Sequence, residues 1–184
     1  MRAIGTKKSK LSKNIRPTSG KVLLALFNIL NASGHACGAN FLDLFAGTGA
    51  VSLAALENGA RAATAVESDR GGVSEMAKKF LRHGDTARAV CGDVRRIVPS
   101  FARAVAAGGE PYDVVFADPP YHMGWGAELP PLIEKNFAIL ARPGVFVFER
   151  TAREAVAEIS VPRDDRVYGE TVLSFYWIPK EAGH

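Results

Sequence analysis

Residues 41–49, Phe-Leu-Asp-Leu-Phe-Ala-Gly-Thr-Gly, constrain the fold more than any other stretch, because the hydrophobic period changes within them. Phe41, Leu42, Leu44 and Phe45 form an apolar run of strand length broken only by Asp43; Ala50, Val51, Leu53, Ala54 and Leu56 then resume at helical spacing. The pattern predicts a buried strand, a tight turn at Gly47 and Gly49, and a helix. Glycine has no Cβ, so the backbone can bend sharply there and approach a ligand, with the N–H groups of the helix's first turn pointing at it. A tight turn without a ligand has the same sequence, and a lone G-x-G does not separate the two.

Two residues sharpen the choice. A dinucleotide fingerprint would place a third glycine or alanine where this chain has Ser52. Asp43 is costly in an apolar strand unless it is hydrogen-bonded or faces a polar ligand, and at a strand's carboxyl end it can reach the cationic end of an amino-acid-like molecule. The pattern D-x-F-x-G-x-G resembles motif I of the Rossmann-like S-adenosylmethionine-dependent methyltransferases. That resemblance implies a cofactor loop carrying Asp43, Phe45, Gly47 and Gly49.

Strands and helices alternate along the rest of the chain. Thr18 or Ser19 is the expected N-cap of a helix presenting Val22, Leu23, Leu26, Phe27, Ile29 and Leu30. Residues 62–67 read as a second strand ending in Glu67, an acid placed to accept both hydroxyls of a ribose. An amphipathic helix over 71–83, with Val73, Met76, Ala77, Phe80 and Leu81 inward, leads to a third strand before Asp93. Asp93 suits either an adenine amine or the N-cap of a helix over 94–107. A strand over 112–117, a helix over 128–140, a strand over 144–148, a short helix over 153–159 and a hairpin of 166–169 with 171–178, turned at Gly169-Glu170, complete the pattern. Such alternation implies right-handed crossovers and a doubly wound, mainly parallel α/β sheet with an antiparallel hairpin at the end, and ligands at the carboxyl ends of its strands.

Asp118-Pro119-Pro120-Tyr121, at the end of the fourth strand, is the most specific stretch. The two prolines stiffen the backbone and remove two N–H donors, leaving carbonyl oxygens and the Asp118 carboxylate as an edge of acceptors. Such an edge suits an amine. The lone pair of a nucleobase amine is delocalised into the ring, and acceptors gripping its two N–H bonds favour the pyramidal nitrogen that can attack. Tyr121 offers a face on which a base can stack, a contact of about 1–3 kcal/mol. The tetrapeptide resembles motif IV of the amino-methyltransferases, which implies that Asp118 and Pro119 orient the target amine and Tyr121 stacks the base. His122, Met123 and Trp125 follow as a rim or an ordinary loop. Transfer then needs alignment rather than a metal.

The formal charge of +4 is uneven. Arg2, Lys7, Lys8, Lys10, Lys13, Arg16 and Lys21 precede the first acid, and 16 basic against 19 acidic residues follow from position 22. Residues 1–18 thus read as a basic arm or hairpin ahead of a single catalytic domain over 19–184, and such an arm is the signature of phosphate-backbone binding or of a solvated tail. Cys37 and Cys91 form no C-x-x-C or Cys/His cluster, so neither a disulfide framework nor a metal site is expected. No apolar stretch has the length to cross a membrane and no leader pattern follows the basic start, so the expectation is a cytoplasmic protein; a monomer is expected as a separate reading.

Taken in order, Arg2-Ala3-Ile4-Gly5, Arg16-Pro17-Thr18-Ser19 with Val22 and residues 26–30, Asp43 to Gly49, Glu67-Ser68-Asp69-Arg70, Asp118 to Tyr121 and Tyr168 to Leu173 resemble the bacterial RsmD-type family over nearly the whole chain. The resemblance implies a seven-stranded methyltransferase sheet and methylation of the N2 amine of a guanine in 16S ribosomal RNA of the small subunit. It also implies Ser68 and Asp93 beside Glu67 at the cofactor, and Arg2, Lys7, Lys8, Lys10, Lys13, Arg16 and Thr18 against RNA. The chain departs from the family at Gly20, Leu23 and Leu24, and in the opening glycine-rich segment. Two other readings stand beside it: a DNA adenine-N6 methyltransferase, which uses the same tetrapeptide, and a non-catalytic RNA protein that binds the cofactor.

Overall fold

The computed structural model describes residues 20–180. Its first helix, α1 (Gly20–Ala32), buries Val22, Leu26, Phe27 and Leu30. There follow β1 (Asn40–Asp43), α2 (Ala50–Glu57), β2 (Ala62–Glu67), α3 (Arg70–Phe80), a 3-10 segment (Leu81–Thr86), β3 (Ala87–Cys91), α4 (Val94–Ala106), β4 (Tyr112–Ala117), α5 (Trp125–Glu134), a second 3-10 turn (Phe137–Ile139), β5 (Leu140–Thr151), β6 (Arg163–Tyr168) and β7 (Thr171–Ile178). The sheet order is β3-β2-β1-β4-β5-β7-β6. The first five of these are parallel, and β7 pairs antiparallel to both neighbours.

The alternation of side chains along the strands divides the core. Phe41, Val114, Phe116, Val145, Val147, Leu173 and Phe175 meet α1 and α2 on one face, while Met76 and Phe80 of α3 cover Ala65 of β2. On the other face Leu42, Val115, Phe146 and Phe148 meet Val94, Val98 and Ala102 of α4 and Leu129 and Ile133 of α5. Helices therefore cover both faces of the sheet, as the alternation predicts.

Several boundaries differ from the sequence reading. β1 stops at Asp43, and Leu44 and Phe45 already belong to the turn, although the Leu44 amide still donates to the Phe116 carbonyl at 2.9 Å. α3 ends at Phe80, so Leu81 is 80% exposed and Ala77 also faces outward. The helix expected over 128–140 occupies Trp125–Glu134, because Gly124 enters it in the left-handed conformation and Trp125 is drawn into the core. β5 is longer than expected and β6 starts earlier.

The short helix expected over 153–159 does not form. Its polar groups are taken by α5 instead: the Ala157 amide donates to the Gly126 carbonyl at 2.9 Å, Glu154 Oε1 accepts from the Gly126 amide at 2.8 Å, and Glu134 Oε1 accepts from the Ser160 amide at 2.6 Å. Backbone satisfied from outside needs no helical ladder. The hairpin turn at Gly169-Glu170 is as read, with Gly169 at φ 64° and Tyr168 facing Thr171. Thr18, Ser19 and the arm lie outside the described residues.

Candidate active site

The chain leaves β1 toward β2 and β3 on one side, while β4 leads to β5 on the other, so the β1/β4 boundary is the switch point at which open α/β sheets bind ligands. Both singled-out motifs stand there. Asp43 pairs with Phe116, which puts Asp118 two residues beyond that register on the adjacent strand.

The turn after β1 is tied to its surroundings by backbone. Ala46 donates to the Val66 carbonyl at 2.9 Å, Gly49 to the Ala46 carbonyl at 2.7 Å, and Leu53 to the Gly49 carbonyl at 3.0 Å. Gly47 and Gly49 have φ of 51° and 77°. Gly49 is the N-cap of α2 and makes no side-chain cap bond. Beneath the turn Asp43 is 1% exposed; its Oδ2 accepts from Ser52 Oγ at 2.9 Å, and its Oδ1 has no partner among the described residues. Burial, opposed by the Ser52 hydroxyl and reinforced by the charge of Asp118, raises the Asp43 carboxyl to a pKa of about 7.

The ends of β2 and β3 continue the rim. Glu67 Oε2 accepts from the Gly47 amide at 3.1 Å, and its Oε1 accepts from Ser68 Oγ at 3.1 Å and from the Asp69 amide at 2.8 Å. The Gly92 amide donates to the Glu67 carbonyl at 3.0 Å and brings exposed Asp93 alongside. Asp93 does cap α4, accepting from the Arg95 amide at 2.8 Å through Oδ1. Phe45 meets the buried Trp125 ring edge-on, with centroids 4.9 Å apart, and the Arg95 guanidinium lies over Trp125 at 4.1 Å while pairing with Glu128. That stack closes the side of the site toward α4 and α5.

In the tetrapeptide after β4, Asp118 and Tyr121 are half-buried, Pro119 buried and Pro120 exposed. His122 follows with φ 64° and Met123 is 61% exposed. The structure thus brings together Asp43, Phe45, Gly47, Gly49, Glu67, Ser68, Asp93, Asp118, Pro119 and Tyr121 along neighbouring structural elements at one end of the sheet. Arg2, Lys7, Lys8, Lys10, Lys13, Arg16 and Thr18 lie outside the described residues. Among the described residues no group of three or more His, Cys, Asp or Glu is placed to hold a metal ion, and no helix is long and apolar enough to cross a membrane.

One further acid belongs to this end of the sheet and escapes the sequence reading. Glu149, near the end of β5, is 2% exposed, and its Oε2 has no partner among the described residues. Burial first, and the Asp118 charge second, raise its pKa to about 8. An acid closing the apolar run Val145 to Phe148 is the same signal that marks Asp43 and Glu67.

The model of the family described as conserved hypothetical protein 95 matches residues 2–177. This chain belongs to that family. The Escherichia coli K12 protein named ribosomal RNA small subunit methyltransferase D is 34% identical over 125 residues, covering 68% of this chain and 59% of that protein. The matched stretch thus spans less than two thirds of the relative. An Escherichia coli structure described as a methyltransferase is 29% identical with a TM-score of 0.71, covering 90% of this chain and 89% of that one. A structure from Thermus thermophilus is 30% identical with a TM-score of 0.72, covering 95% and 94%. A methyltransferase solved in complex with SAH shares the fold at 20% identity and a TM-score of 0.62, covering 86% of this chain and 48% of its own.

Proposed function

We propose that this conserved hypothetical protein 95 family member transfers the methyl group of S-adenosylmethionine to the exocyclic N2 amine of a guanine in 16S ribosomal RNA. The observation that carries the reading is the position of Asp118-Pro119-Pro120-Tyr121 on the strand next to the glycine turn, so that a donor held by one faces an acceptor held by the other. The names of the relatives point the same way.

The residues present fit the cofactor. A Cβ on Gly47 would meet nothing within 4 Å, which leaves the turn open to a ligand, and Asp43 Oδ1 supplies a buried acceptor with no partner among the described residues. Gly47, Gly49 and Phe45 would line the methionine part, Asp43 would set negative charge beneath its ammonium, Glu67 and Ser68 would take the ribose, and Asp93 the adenine amine. When bound, the cofactor supplies an electrophilic methyl whose bond to sulfur breaks, with the electron pair staying on sulfur, as nitrogen attacks.

The chain's own work is positional. Asp118 and the Pro119 carbonyl accept the two N–H bonds of the amine and localise its lone pair; Tyr121 stacks the splayed base; the proton released by nitrogen after attack passes to the Asp118 carboxylate. Arg2, Lys7, Lys8, Lys10, Lys13 and Arg16, with Thr18, would lie against RNA phosphates in the small subunit, in the cytoplasm.

A radiolabelled methyl-transfer assay tests the reading with three substrates: small subunits lacking the modification, naked 16S RNA and duplex DNA. Label in N2-methylguanine of the small-subunit RNA is the expected result. Label confined to DNA would make the protein an adenine methyltransferase, and cofactor binding without transfer to any of the three would make it a non-catalytic RNA protein.

A further inference from the structure

Three carboxyl groups converge at the carboxyl ends of adjacent strands. Asp43 of β1, Asp118 after β4 and Glu149 of β5 belong to one face of the sheet, because each lies an even number of residues from Phe41, Val114 and Val145, which all pack on that face. The β4/β5 register pairs Ala117 with Phe148, so its continuation sets Asp118 beside Glu149, and neighbouring strands lie about 4.8 Å apart.

Among the described residues nothing on this side of the fold explains Glu149. Its antiparallel partner on β7 is Leu173, which offers no polar side-chain atom, and Val147 precedes it on the same face. The adjacent cation, Arg150, is committed elsewhere: its guanidinium donates to Ser174 Oγ at 2.9 Å, to the Thr151 carbonyl at 3.1 Å and to Asp165 Oδ2 at 2.6 Å. A buried acid with an oxygen left unpartnered costs folding free energy, and such a cost is retained where a ligand later supplies the partner.

We propose that Glu149 is a specificity-determining residue that accepts a hydrogen bond from the ring N1–H of the guanine whose 2-amino group is held by Asp118 and Pro119. The inference rests on the methyl-transfer reading above and deepens it. In guanine the N1–H and the 2-amino group are adjacent donors on one edge, and two neighbouring strands here present adjacent acids. Adenine carries a bare N1 acceptor beside its amine, so an acceptor at this place disfavours it. Burial holds the carboxyl of the free enzyme neutral below about pH 8, and that form can also donate to a bare N1, so the discrimination belongs to the carboxylate, the form that a bound N1–H stabilises.

The test uses small subunits reconstituted with 16S RNA that carries either guanine or 2-aminopurine at the methylated position. 2-Aminopurine keeps the 2-amino group, lacks O6 and carries a bare nitrogen in place of N1–H, so the Glu149→Gln comparison is what assigns a preference to N1. At about pH 8.5, where the Glu149 carboxylate predominates, wild-type enzyme should methylate the guanine form with kcat/KM at least about tenfold above the analogue form. Glu149→Gln, whose amide can donate to the bare nitrogen, should lose most of that preference while its affinity for S-adenosylmethionine is kept. Equal transfer by the wild type to both bases would overturn this inference alone, and needs no variant to fold. An unchanged preference in a folded Glu149→Gln enzyme would also overturn it. No transfer to guanine by the wild type would overturn the methyl-transfer reading, and this inference with it.

Discussion

Gly47 and Gly49 share a left-handed backbone but answer to different constraints. A Cβ on Gly49 would stand 2.9 Å from Met76 Cγ and Sδ and 3.1 Å from Phe80 Cε1, so this glycine seats the turn on α3. Gly49→Ala should therefore destabilise the fold by about 2 kcal/mol or more, combining backbone strain with a core clash. Gly47→Ala, which meets no atom within 4 Å, should cost only about 1 kcal/mol of backbone strain and show its main effect as weaker cofactor affinity. Urea melts and calorimetric titration of the two variants separate these outcomes; equal affinity loss at equal stability would contradict the division. Glu149 makes a second prediction. Its folded pKa, about 8, lies above its ordinary value of 4.5, so between those limits the folded protein keeps a proton that the unfolded chain releases. Stability contributed by the neutral form is therefore lost as pH rises from about 4.5 to about 8, and Asp43, raised from 3.8 to about 7, acts in the same direction. Glu149→Gln should be more stable than wild type by a few kcal/mol at pH 8–9, on the basis of roughly 1.4 kcal/mol per pKa unit, and the advantage should shrink toward zero near pH 4. Parallel melting curves across that range would remove Glu149 as a buried, unpartnered acid.

At the scale of elements, Arg150, Ser174 and Asp165 tie β5, β7 and β6 together where the sheet turns antiparallel. Arg150 bridges Ser174 and Asp165, and Ser174 Oγ also donates to Asp165 Oδ1 at 2.7 Å. Arg150→Ala would remove the donor to buried Ser174 and leave Asp165 with Arg163, 3.2 Å away, as its cation, and should lower stability by about 2 kcal/mol in urea denaturation. Arg95 and Glu128 clasp α4 to α5, but both are substantially exposed, so Glu128→Gln should change stability by less than about 1 kcal/mol. The contrast shows what a sequence discloses. β1, the glycine turn and α2 were legible because their apolar period changes abruptly between Phe45 and Ala50, and the hairpin was legible because Gly169 supplies the one conformation its turn requires. The segment 152–162 was not, because Ala157, Glu154 and Ser160 find their partners on α5, remote in sequence. Leu81 misled for a related reason: its spacing continues α3, but the chain has already left that helix for the 3-10 segment. Within the candidate site, the glycine turn and the tetrapeptide could be placed from their spacing, whereas the position of Glu149 depends on which strand lies beside β4, and strand order is not written locally.

For the molecule as a whole, the division of charge sets the expected behaviour toward RNA. Seven basic residues precede the first acid, and from position 22 acids outnumber bases by 19 to 16, so the proposed function predicts that the attraction to a polyanion comes from the basic segment rather than from the net charge of the body. Association with RNA releases condensed counterions in proportion to the phosphates neutralised, which makes the logarithm of affinity fall linearly with the logarithm of salt concentration. Replacing Arg2, Lys7, Lys8, Lys10, Lys13 and Arg16 together by glutamine removes six charges without touching the carboxylates of the site. If all six meet phosphate, the slope for 16S RNA should flatten by about 4 to 5, at roughly 0.7 to 0.9 per contact, with affinity at low salt falling by orders of magnitude. Affinity for S-adenosylmethionine should be unchanged in the same variant, because Asp43, Gly47, Glu67 and Asp93 are all retained. Filter binding across a salt series reads the slope directly. An unaltered slope would assign the arm to solvent and place the RNA contacts on the body, where its net negative charge would make them local and dependent on particular residues instead of on overall charge.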